Sequence, residues 1–103
     1  MPKYAFIYHG GKKPESPEAM EKVMAAWTAW FASMGPAVVD GGGPVGLSHT
    51  VTKAGVIENG GANPASGWSV VSAESQAAAT TLAKACPILD DGGSVEVAEV
   101  MAM

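Results

Sequence analysis

The chain has 103 residues, room for one core and no second folded unit, and its 48% hydrophobic and 16% charged composition excludes a disordered module. Six lysines and no arginine stand against ten acids, a net charge of −4 that argues against nucleic acid as a partner. The missing arginines also remove the planar fork that clamps carboxylates and phosphates at two points.

Taken in chain order, residues 3–9 (KYAFIYH) are aromatic and branched and stop at Gly10-Gly11, which predicts a strand closed by a turn. Ser16 is a good N-cap, Pro17 suits the first helical position, and Glu18 and Glu21 lie near the positive end of the dipole. Met20, Val23, Met24, Trp27, Trp30, Phe31 and Met34 then recur at helical steps, predicting one wide apolar face with Trp27 largely buried, until Gly35-Pro36 ends the helix. Residues 37–40 read as a second strand running into Gly41-Gly42-Gly43, where pairing must stop or bulge. A small hairpin over 49–58 is expected to turn at Ala54-Gly55, and the Gly-, Asn- and Pro-rich residues 59–67 to form a surface loop. Residues 68–72 are a further strand. A second helix over about 74–86 carries Ala78, Leu82, Ala85 and Cys86 on one face and halts before Pro87; a last strand covers 94–100.

This order is that of an α+β protein, a ferredoxin-like βαββαβ sandwich in one domain spanning 1–103. Right-handed crossovers place both helices on one face of the sheet. In the first strand Tyr4, Phe6 and Tyr8 point one way and Ala5, Ile7 and His9 the other, so the bare face is also apolar. A second copy of the chain is the expected cover, giving a homodimer.

One cysteine cannot form an internal disulfide, and the opening MPKYAFIYHGG shows neither a long apolar stretch nor a cleavage site. A cytoplasmic location is expected, with no membrane segment because no apolar run approaches about 18 residues.

Candidate catalytic groups are few. His9 ends the first strand, Asp40 the second, and His49 follows a glycine-rich loop; a carboxylate orienting an imidazole makes a general base near neutral pH. The competing reading makes His9 and Asp40 turn residues and His49 a polar residue on a half-exposed strand. His9, His49 and Asp40 have metal-ligand chemistry but no ligand spacing, so no metal is expected. Cys86 has no charged neighbour to lower its pKa and reads as a buried, inert thiol. Trp27 and Trp30 line either an apolar pocket or plain core, and the glycine clusters match no phosphate-binding motif.

Several stretches form a joint pattern: Tyr4-Ala5-Phe6-Ile7-Tyr8-His9-Gly10-Gly11, the Glu15-Ser16-Pro17-Glu18 helix start with Ala25-Ala26-Trp27-Thr28-Ala29-Trp30-Phe31, and Gly60-Gly61-Ala62-Asn63-Pro64 before Gly67-Trp68-Ser69-Val70-Val71. Ala83-Lys84-Ala85-Cys86-Pro87 and Gly92-Gly93-Ser94-Val95-Glu96-Val97 complete the set. Together they resemble the YCII-related domain proteins, relatives of the DGPF-domain family. The resemblance spans almost the whole chain and implies a ferredoxin-like dimeric α+β barrel. In the family's enzymatic branch a His on the first helix pairs with an Asp just before a Pro after the second helix. Here those positions fall in Ala25-Ala26-Trp27 and at Cys86, and the Asp-Gly-Pro-Phe signature is absent. The expected function is binding of a small, fairly apolar molecule in a barrel cavity, without a cofactor, with Tyr8, Trp27, Asn63 and Trp68 as binding candidates. The alternative is a cofactor-independent acid/base enzyme, of isomerase, lyase or dehalogenase type, using His9 or His49 as base and Asp40 as orienter.

Overall fold

The computed structural model describes residues 1–102 and gives an α+β architecture of two helices and six strands among them. The strands are β1 (Lys3–His9), β2 (Val38–Pro44), β3 (His49–Thr52), β4 (Gly55–Glu58), β5 (Ala65–Ser72) and β6 (Ser94–Glu99); the helices are α1 (Pro17–Met34) and α2 (Gln76–Ala83). Four strands form one antiparallel sheet in the order β2-β5-β1-β6, and β3 and β4 pair separately as a hairpin. This order is compatible with the ferredoxin-like sandwich.

The helix starts follow from local chemistry. Ser16 Oγ accepts the Ala19 N–H at 3.1 Å and Ser75 Oγ the Ala78 N–H at 3.1 Å, each satisfying a donor that the first turn leaves without a partner. Gly35, at φ 52, closes α1 by donating its N–H to the Phe31 carbonyl. Lys84 caps α2, and the chain turns out before Pro87, so α2 is shorter than the predicted 74–86.

Alternation along β1 divides the molecule. Tyr4, Phe6 and Tyr8 are buried against Trp30 and Met34 of α1 and Ala79 and Ala83 of α2, with Val71, Cys86 and Ile88 completing the core. Ala5, Ile7 and His9 face the other way. The smallest extent of the molecule is 18 Å, the thickness of one helix layer on one sheet. Among the described residues no further layer lies over the second face, and Trp68 on β5, opposite Ile7, is 40% exposed there.

Other details depart from the sequence pattern as well, β5 beginning at Ala65 inside the predicted 59–67 loop. Trp27 is only partly buried because Trp30, one turn on, takes the centre, and Met20 and Met24 stay exposed beyond the edge of that packing. Strand β2 runs four residues past Asp40, with register shifts after Val38 and Asp40. Gly42, at φ 63, lies so close to β5 that a Cβ would run into the Trp68 carbonyl, so the glycines carry the bulge instead of ending the strand. The hairpin turns at Lys53-Ala54, one residue earlier than expected, and all its strand residues are exposed. No helix of the described residues is long and apolar enough to cross a membrane.

Candidate functional site

His9 ends the central strand β1 on the open face, and its side chain is only 11% exposed. In the β1–β6 register Glu96 lies opposite Ile7 and Ser94 opposite His9, so Glu96 is the diagonal neighbour of His9 on the same face. Its Oε1 lies 3.0 Å from His9 Nε2. On the other side of the ring, Nδ1 faces the carbonyl oxygens of Asn63 at 3.1 Å and Pro64 at 3.3 Å. Those carbonyls only accept, so a hydrogen bond on this side places the hydrogen on Nδ1 and turns Nε2 toward Glu96. The doubly protonated ring donates on both sides at once, to backbone and to carboxylate. Glu96 is 67% exposed and can swing off the ring, and solvent screens the pair, so it is an adjustable partner rather than a structural brace.

The other candidates lie elsewhere. Asp40 sits on edge strand β2, opposite Val70, which is itself opposite Ala5, four residues from His9. Two strand spacings across and four residues along put the two roughly 16 Å apart. The Asp40 carboxylate instead accepts the Gly42 N–H at 2.9 Å and shapes the bulge. His49 lies on the exposed hairpin, opposite Glu58. The carboxylate beside His9 is therefore Glu96, not Asp40. Alternation within β6 signals its face, but only the pairing of β6 with β1 places it.

Of the binding candidates, Tyr8 and Trp27 are on the helix side of the sheet, meeting edge to face at 5.0 Å. Tyr8 donates its hydroxyl to Ser69 Oγ at 2.7 Å, and Ser69 donates to the Gly41 carbonyl at 2.8 Å, which ties β1 through β5 to the bulged β2. Burial pushes the Tyr8 phenol up to about 12, against the lowering effect of the Ser69 bond. Trp68 shares the open face with His9. Asn63 contributes its carbonyl there, while its side chain is in the exposed loop. Cys86 is buried, and burial pushes its thiol up to about 11, which disfavours the nucleophilic thiolate at neutral pH. Among the described residues no three His, Cys, Asp or Glu side chains gather as metal ligands would.

Compared with family models, with curated proteins and with solved structures, the chain matches none.

Proposed function

We propose that the open sheet face is a binding surface for a small, partly apolar molecule, and that a second copy of the chain closes over it to make a dimeric α+β barrel of ferredoxin-like halves. One observation carries this reading: a histidine whose Nδ1 faces two backbone carbonyls, with an adjustable carboxylate partner, stands at the edge of an apolar floor built from the half-buried Ala5, Ile7 and Val70 and the exposed Trp68. A floor that removes apolar area from water and one directional polar group are the ingredients of a small-molecule site. The resemblance to YCII-related proteins supports the same assembly. The reading needs no cofactor and takes the protein as cytoplasmic.

Benzyl alcohol, which carries an aromatic ring and one hydroxyl, is a suitable probe. Followed by amide NMR, it is expected to shift Ile7, His9, Trp68 and Glu96 saturably and to bind more weakly to His9→Ala. Shifts that never saturate, or are unchanged in His9→Ala, would refute the reading.

A second reading, acid/base catalysis without a cofactor, is favoured by the carbonyl clamp on Nδ1, which leaves Nε2 as base in the way that oriented catalytic histidines require. Its test is deuterium uptake by acetylacetone in heavy water. Catalysis above buffer that disappears in His9→Gln supports it, and a rate equal to buffer removes it.

A further inference from the structure

Beyond the open face, a groove of about 250 Å³ lies at the end of the sheet where β1 stops. Gly10 and Gly11, Leu47 and Ser48 of the β2–β3 connection, and Pro64 and Ser66 form most of its wall. The β1–β5 register explains why Ser66 is there. Tyr8 pairs with Gly67 and His9 with Ala65, so Ser66 is the extra residue of a bulge, the device by which strands re-aim a side chain beside a site. Its Oγ is buried and has no hydrogen-bond partner among the described residues, although a buried hydroxyl without one carries an uncompensated desolvation cost. The backbone carbonyl of the same residue is used, accepting the Val45 N–H at 2.9 Å.

The wall chemistry is one-sided. Among the described residues no carboxylate lines the groove, and the N–H groups of Gly10, Gly11, Leu47 and Ser48 make no hydrogen bond. Gly10 and Gly11 have φ 75 and 91, a backbone course open to glycine that strains other residues. Gly60 admits the Ser48 side chain, since a Cβ there would run into Ser48 Oγ. Lys12 and Lys13 follow Gly11 directly and bring the only paired positive charges of an acidic chain to this end of the sheet. Val45, Leu47 and Pro64 supply a short apolar wall.

We propose that this groove binds a small monocarboxylate, its oxygens accepting from Ser66 Oγ, Ser48 Oγ and the backbone N–H groups, and its short alkyl chain lying on Val45, Leu47 and Pro64. Hydrogen bonds from neutral donors to an ionised acceptor are among the stronger kinds and need no arginine. The volume suits a chain of a few carbons rather than a drug-sized ligand.

The test is titration of the full chain with sodium butyrate, followed by amide NMR, beside butyramide and sodium chloride at equal ionic strength. Butyrate is expected to move Gly10, Gly11, Ser48 and Ser66 saturably, with neither control doing so. Ser66→Ala is expected to weaken butyrate about tenfold, the value of one hydrogen bond to a charged group. It should also leave the thermal midpoint unchanged or higher, because the hydroxyl has no partner to lose. A hydroxyl that meets no ligand gives the stability result without the affinity loss, and that outcome overturns the proposal. So do shifts that sodium chloride reproduces, or shifts confined to Ile7 and Trp68, which would report the open face instead. Ser48→Ala serves as the second variant, with a weakening of the same sign expected and equal affinity counting against the groove.

Discussion

Two side chains couple the fold to alkaline pH. The Cys86 thiol rises from its ordinary 9.0 to about 11 and the Tyr8 phenol from 10.0 to about 12, both through burial. The folded state therefore holds these protons more tightly than the unfolded chain does. Their contribution is fully present below pH 9, declines as the unfolded groups ionise first, and is lost as pH rises through about 11 for Cys86 and about 12 for Tyr8. Urea midpoints are expected to be flat toward pH 9 and to fall from there to pH 12. Tyr8→Phe should flatten the upper part of that fall while lowering stability at neutral pH, since Ser69 loses its buried donor. Thiol alkylation at pH 8 should be slow in the native protein and fast in urea. Rapid native alkylation would place Cys86 at the surface and contradict the burial that shifts it. The burial of Cys86 was legible in the sequence from its place on the apolar helix face beside Pro87. The partner of His9 was not, because a chain's alternation says which residues share a face but not which strands become neighbours. Glu96 is 87 positions from His9 and meets it only through the β1–β6 register.

At the scale of elements, what could be read depended on how local the cause is. Ser16, Pro17 and Gly35 bound α1 through bonds within four residues, and the sequence placed them correctly. The extent of β2 and the burial of the α1 face depend on neighbours distant in the chain. The same periodicity covers Met20, Met24, Trp27 and Trp30, yet the sheet beneath reaches only part of it. Trp30 is 4% exposed, lies 6.1 Å from Phe6 centre to centre, and donates its indole N–H to the Leu82 carbonyl at 3.1 Å, which joins α1 to α2. Trp30→Ala is expected to cost about 3–5 kcal/mol through lost transfer energy and a cavity. Trp27→Ala should cost clearly less, because its ring keeps part of its surface in water. Denaturant midpoints of the two variants measure the difference, and a larger loss from Trp27 would mean that the helix is rotated about its axis. Ser16→Ala, which removes a cap without touching the core, should cost about 1 kcal/mol.

At the scale of the whole molecule, the described residues pack one sheet face and leave the other without a layer. The packed face follows from Tyr4, Phe6 and Tyr8 alternating with Ala5, Ile7 and His9, and the resulting two-layer plate leaves Trp68 at its open surface. A monomer with a tryptophan, an isoleucine and a valine on one flat face keeps apolar area in water at roughly 25 cal/mol per Å². Pairing two such faces removes that cost twice, and a stable assembly of this kind buries more than about 1,000 Å². Sedimentation at micromolar concentration is thus expected to show a dimer. The substitution that tests the face without testing the fold is Trp68→Lys, since a side chain already 40% exposed contributes little to the core. It is expected to give a monomer with unchanged far-ultraviolet circular dichroism. Lys84→Glu, on the exposed cap of α2 and away from that face, should remain dimeric. A wild-type monomer would remove the assembly altogether. A Trp68→Lys dimer would move the contact away from the open face, to surfaces such as the exposed β3–β4 hairpin with its Val51–Val56 pair.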